Sequence, residues 1–138
     1  MTSWTNQLGL ASDGVAFGSG NNLYLAGGYD AFYNSPGYLY SYNIVTGQWN
    51  QLANMLKGRG DIEVAEYANR FYVAGGWNID NNFDVPFADV EYYDILSNTW
   101  TLAPSMHYGR GDFVLTVMAN ALFAVGGETR PSSDYNNF

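Results

Sequence analysis

Short apolar and aromatic runs recur along the chain, and polar segments rich in glycine, asparagine and aspartate separate them. In the central part these runs cover 62–67, 70–74, 89–95 and 99–102. β-Branched and aromatic residues fill them, and no apolar period of 3.6 residues is sustained. Ser97–Asn98, between the last two runs, is a dipeptide that hairpin turns accept. The pattern predicts four short antiparallel strands.

The same unit occurs more than once. Three Gly-Gly pairs each follow an apolar run at intervals of about fifty residues, a period typical of repeat folds. The four-residue stretch 58–61 is repeated at 109–112, and the segment from Trp49 aligns without a gap with the segment from Trp100. Four strands in each period indicate propeller blades.

Composition and charge exclude several classes of protein. With 47% hydrophobic and 17% aromatic residues, the chain has enough apolar surface to fold. Thirteen acidic against five basic residues give a net charge of -8, which disfavours nucleic acid and anionic membranes. No apolar run is long enough to span a bilayer, so no membrane insertion is expected. Proteins, neutral ligands such as sugars, and cations are the favoured partners.

Candidate chemistry is sparse. Without cysteine, disulfides, thiolate nucleophiles and cysteine-ligated zinc are excluded. His107 is the only histidine and has no activated serine nearby, so no catalytic residue is predicted. The spacing of Asp80, Asp84 and Asp89 matches no calcium loop, and we predict neither a metal nor a cofactor. The absence of a glycosylation sequon favours a cytoplasmic location.

An apolar run, Gly-Gly, a tyrosine and then a tryptophan together resemble the Kelch repeat. The matching residues are Gly27, Gly28, Tyr42 and Trp49; then Gly75, Gly76, Tyr93 and Trp100; and finally Gly126 and Gly127. The resemblance implies an all-β, Kelch-type β-propeller, here an incomplete ring of four-stranded antiparallel blades. We expect the tyrosines and tryptophans to fill the space between blades, and the glycines to permit close backbone approach.

The repeat positions divide the chain into parts of blades. We expect residues 1–10 to form the outer strand of a preceding blade, 11–60 a first blade and 61–111 a second. Residues 112–138 would form the first half of a third. The resemblance implies a ring of about five to seven blades, because Kelch propellers usually have that number, so the chain is expected to be a fragment of a larger protein. The remaining blades would come from that protein or from neighbouring subunits.

Two long loops carry the candidate binding residues. Each lies between the second and third strands of a blade and mixes aromatics with asparagine, aspartate and serine, the composition of a recognition surface. The candidates for contacting a partner are Tyr29, Asp30 and Tyr33 in the first loop, and Trp77 and Asp80 in the second. The alternative is that these aromatics fold back and cover the rim of the propeller.

Arg59 and Arg110 occupy one equivalent position ahead of their inner strands. The resemblance implies that such arginines can reach the central pocket and bind acidic peptides, as they do in Kelch-type adaptors. The alternative is a structural arginine that donates hydrogen bonds to carbonyls of the neighbouring blade. Each belongs to an Arg-Gly-Asp triplet, and the repeat explains this triplet better than cell adhesion does.

Glu63 and Glu66 lie on an innermost strand where the third copy has valine. Burying a lone carboxylate costs several kcal/mol. We therefore expect at least one of them to face the central channel or to pair with an arginine.

These observations favour a protein-protein interaction module on a Kelch propeller. Two alternatives remain open at this stage. One is a structural or assembly subunit of a larger complex. The other is a carbohydrate-active Kelch enzyme whose catalytic residues lie outside this segment. Fold alone does not choose between them.

Overall fold

The computed structural model describes residues 12–81 and 85–129, which form three antiparallel sheets. The first blade has four strands in the order of the chain: β1 Val15–Ser19, β2 Asn22–Ala26, β3 Leu39–Asn43 and β4 Trp49–Gln51. The second repeats this order with β5 Glu63–Tyr67, β6 Arg70–Ala74, β7 Val90–Asp94 and β8 Thr99–Ala103. The third sheet pairs β9 Val114–Met118 with β10 Ala121–Val125.

These sheets confirm the predicted all-β fold of four-stranded antiparallel blades. The only helical element in the described residues is a single 3₁₀ turn, Ile79–Asn81. Nowhere in 12–81 or 85–129 does a helix have the length and apolar character needed to cross a membrane. The expected outer strand within residues 1–10 lies outside the described residues, as does the end of the chain from residue 130.

The first layer of the core lies between the first and second blades. The ring of Phe17 stacks on that of Phe71 with centroids 4.1 Å apart, and Tyr93 and Trp100 complete the layer. Trp100 donates a hydrogen bond from Nε1 to the carbonyl of Ala53, at 2.9 Å, across the gap between the blades. The aromatic residue therefore joins two blades by packing and by one bond.

A second, smaller layer lies between the second and third sheets. Ala74 and Val90 of the second blade pack there against Phe113 and Leu115. On the other face of the third sheet, the apolar side chains that point away from the second blade are exposed: Val114, Met118, Phe123 and Val125. A further blade would cover this face, and its origin in the same protein or in a neighbouring subunit stays a prediction.

The Gly-Gly pairs join each blade to the next connection. Gly28 donates its N–H to the carbonyl of Arg59 at 2.9 Å, and Gly76 does the same to Arg110 at 2.8 Å. Both glycines have φ near +85°, at 88° and 85°, a conformation that side chains resist. The repeated glycines thus fix where each connection meets the preceding blade.

Candidate functional site

The long loops and the connections between blades share one side of the molecule, here called the connection face. It consists of the loops 27–38 and 75–89 (without 82–84) and the connections 52–62 and 104–113. Each loop is tied to the connection beside it by backbone hydrogen bonds, such as Met55 N–H to the Gly37 carbonyl at 2.8 Å. The hairpin turns 20–21, 44–48, 68–69 and 95–98 lie on the opposite side, the turn face.

Tyr29 and Trp77 fold back into the structure, and each is only 4% exposed. The ring of Tyr29 lies against Gly60 and that of Trp77 against Gly111, where a side chain on either glycine would collide with the ring. Tyr29 also donates a 2.6 Å hydrogen bond from its hydroxyl to Asp61 Oδ2. Burial and this bond raise the pKa of Tyr29. Both rings cover the junction between blades, as in the packing alternative.

The loop after Tyr29 presents two aromatic side chains to solvent. Asp30 Oδ1 accepts hydrogen bonds from the N–H groups of Phe32 and Asn34 at 2.8 and 2.9 Å. The Asn34 side chain donates to the other oxygen at 2.9 Å and lowers the pKa of Asp30. This turn leaves Phe32 80% and Tyr33 65% exposed. Sequence reasoning missed Phe32, although an aspartate two residues before it signals such a turn.

Arg59 is fully buried and pairs with Glu91 on β7, with 2.9 Å between Nη2 and Oε1. The second carboxylate oxygen of Glu91 accepts the N–H of Leu56 at 2.7 Å. Desolvation raises the pKa of Glu91 and lowers that of Arg59. Arg59 therefore holds the connection against the blade from a buried position, and its role in binding a ligand stays a prediction. Glu91 was missed by sequence reasoning, and a lone glutamate inside an apolar strand was its signal.

Arg110 occupies the equivalent position one blade later but has a different partner. It donates from Nη1 to the carbonyl of Gly126 at 2.7 Å, and it is half-buried. The acceptor is a backbone carbonyl, as in the structural alternative, and it directly follows β10 of the third sheet. Asp80 lies exposed in the 3₁₀ turn, 3.4 Å from the amide nitrogen of Asn78.

Four carboxylates lie close together beside the first strands of the three sheets, and we call them the acidic mouth: Asp61 and Asp112 within the connection face, and Asp13 and Glu128 at its border. The three aspartates occupy the same position in successive blades and all have positive φ, between 49° and 64°. Asp61 donates its N–H to the Asp13 carbonyl at 2.8 Å, and Asp112 donates to Asp61 at 3.4 Å. Burial raises the pKa of Asp61, the hydrogen bond from Tyr29 opposes this rise, and repulsion from the other three carboxylates adds to it.

The mouth was not predicted, although an aspartate at one position of every repeat was its signal. Glu63 lies nearby and half-buried, and burial together with repulsion from Asp112 raises its pKa. Glu66 is exposed. Neither is fully buried, and whether one faces the channel stays a prediction. In the described part of the chain, no three histidine, cysteine or acidic side chains are placed to hold a metal ion.

Comparison with known proteins finds relatives whose names identify them as Kelch proteins. The chain is 37% identical to "Kelch-like protein 13" of Mus musculus over 59 residues, 43% of this chain and 9% of that protein. It is 27% identical over 128 residues to the human "Kelch repeat and BTB domain-containing protein 7", 93% of this chain and 18% of that protein. It therefore spans less than a fifth of the length of either relative.

The fold also matches a solved structure. The structure of YjhT superposes with a TM-score of 0.70 at 20% identity, over 86% of this chain and 34% of that one. The family model for the Kelch motif matches residues 14–56 and 58–107, which are most of the chain. Two consecutive Kelch motifs, folded as two consecutive blades, show that the chain belongs to the Kelch-repeat family.

Proposed function

We propose that this chain is a protein-interaction module that contacts its partner through the connection face. The names of its relatives support an adaptor-like role, since one of them combines Kelch repeats with a BTB domain. The proposal assigns binding to this segment and no catalytic step. Of the residues predicted from the sequence, Tyr33 and Asp80 are exposed and Asp30 and Arg110 are half-buried, so these four are accessible enough to contact a partner directly.

The observation that carries the proposal is the exposed aromatic pair in the first loop. Phe32 and Tyr33 are solvent-exposed, and the hydrogen bonds to Asp30 order the backbone that carries them. Exposed aromatics on an ordered backbone give a large contact area at small entropic cost, as in antibody loops. The buried candidates Tyr29, Trp77 and Arg59 support this face from below.

The turn face provides a natural comparison. It also exposes large apolar residues, but these are aliphatic: Ile44, Val45 and Leu96. Interface centres are enriched in aromatic residues, and isolated exposed aliphatic residues are ordinary on protein surfaces. The connection face is therefore the better candidate.

A photo-crosslinking experiment tests the choice of face. A photoreactive phenylalanine analogue replaces Phe32 in one variant and Ile44 in a matched control, which are 80% and 64% exposed. Both are irradiated in an extract of the source cells. We expect a discrete crosslinked protein from position 32 and none of that mass from position 44. Equal crosslinking at both positions, or at 44 alone, would contradict the proposal.

A further inference from the structure

Each lysine and arginine within the described residues lies beside a carboxylate or donates to a backbone carbonyl. Lys57 pairs with Asp89 at 2.6 Å and Arg59 with Glu91 at 2.9 Å. The remaining two are Arg70, 3.9 Å from Asp94 and over the ring of Tyr92, and Arg110, bonded to the Gly126 carbonyl. Three of these four cations lie beside a carboxylate and Arg110 bonds to a neutral carbonyl, so the binding of an acidic ligand by Arg59 and Arg110 stays a prediction.

The carboxylates of the acidic mouth differ from these cations in having no partner of opposite charge among the described residues. None of the four takes part in an ion pair there. Asp13 and Asp112 are exposed and Glu128 is half-buried, so their charges face solvent. Clustered carboxylates of one sign produce a field that attracts cations and repels anions.

The mouth adjoins the exposed aromatic loop. The rings of Tyr33 and Tyr29 lie 6.4 Å apart, and the Tyr29 hydroxyl donates to Asp61 of the mouth. Tyr29 therefore links the mouth to the exposed aromatic loop, so that one extended peptide segment can contact both. This protein already makes contacts between a cation and an aromatic ring, since Lys57 lies 4.4 Å from the centre of the Phe87 ring.

We propose that the connection face binds a segment of a partner protein rich in arginine or lysine. Its cations would meet the carboxylates of the acidic mouth, and its side chains would stack on Phe32 and Tyr33. This inference rests on the proposed function and specifies the chemistry of the partner. Charge complementarity of this kind governs specificity and the rate of association.

Fluorescence anisotropy with two labelled peptides tests the inference on the full chain. One peptide alternates arginine with glycine and serine, and its twin carries glutamate in place of every arginine. We expect the arginine peptide alone to bind, and more weakly at high salt because screening weakens exposed charge pairs. Phe32→Ser should weaken this binding further. Tighter or equal binding of the glutamate peptide, or no binding of either, would overturn the inference.

A matched pair of variants locates the binding. Glu128→Gln removes a charge from the acidic mouth, whereas Glu66→Gln removes the same charge from the far end of β5. We expect the first to weaken the arginine peptide about two- to fivefold and the second to leave it unchanged. Equal effects would overturn the inference. If crosslinking at position 32 still succeeded, the proposed function would stand with a partner of other chemistry. If it failed as well, both would fall.

Discussion

Gly60 shows how a single residue sets the spacing between blades. The ring of Tyr29 occupies the space above it, so that a Cβ at this position would lie 2.5 Å from Tyr29 Cζ. Gly111 has the same relation to Trp77 one blade later. These glycines are required by the aromatic residue of the preceding blade, because real Cβ atoms do not approach a ring so closely.

Gly60→Ala should therefore lower the free energy of unfolding by about 1–3 kcal/mol, the usual cost of overpacking. Gly18→Ala is the matched control, since a Cβ at Gly18 would meet only the Asn22 carbonyl at 3.9 Å. We expect this control to stay within about 0.5 kcal/mol of the wild type. Chemical denaturation followed by tryptophan fluorescence measures both. Equal losses in the two variants would show that Tyr29 does not pack on Gly60 as described.

At the scale of elements, an aspartate carboxylate that accepts backbone N–H groups orders one segment on each face. Asp30 caps the aromatic loop through the amides of Phe32 and Asn34. Asp94 caps the second-blade turn through the amides of Leu96 and Ser97, at 3.0 and 3.1 Å. Because these bonds are local, removing one carboxylate should loosen one segment and leave the sheets intact.

Asp30→Ala should accelerate hydrogen exchange at the amides of Phe32 and Asn34 by about tenfold, the equivalent of roughly one lost hydrogen bond. Exchange in β1 and β2 should not change. Asp94→Ala serves as control and should affect only Leu96 and Ser97. Exchange followed by NMR resolves the individual amides. Faster exchange throughout the first blade would mean that the Asp30 cap supports the blade itself.

The strands were predictable, because alternating apolar positions and a repeated turn mark them directly. The expected runs 62–67 and 89–95 match β5 Glu63–Tyr67 and β7 Val90–Asp94 to within one residue at each end. The orientation of the loop aromatics was not predictable. Tyr29 is buried because Gly60, in the connection to the next blade, leaves room for its ring, and no local pattern around Tyr29 carries that information.

On the scale of the whole molecule, the acidic mouth is a shared property of successive blades. Each of its aspartates comes from a different repeat, and repulsion among them acts across blade boundaries. The mouth therefore opposes the packing of the blades when its carboxylates are ionised, and protonation relieves that opposition.

Asp61→Asn should change how stability depends on pH. Burial raises the pKa of Asp61 above its ordinary 3.8 in the folded state, so the folded protein binds more protons than the unfolded chain in that window. Its contribution to stability is present below pH 3.8 and is lost as the pH rises through the raised value. The difference between variant and wild-type unfolding free energies should therefore shift in favour of the variant across this range. Denaturation at a series of pH values measures this difference, and a constant difference would contradict the assignment.

The bonds that join successive blades at the acidic mouth run between peptide groups, from the Asp61 N–H to the Asp13 carbonyl and from Asp112 to Asp61. The Asp61 carboxylate adds one bond across the junction, from the Tyr29 hydroxyl, but the carboxylates take no part in this backbone ladder. Any residue that accepts a positive φ can replace them and still keep this backbone ladder. The contacts between blades and the charge of the mouth are thus carried by different atoms of the same residues. Replacing an aspartate would change the charge offered to the proposed partner and leave the backbone ladder in place.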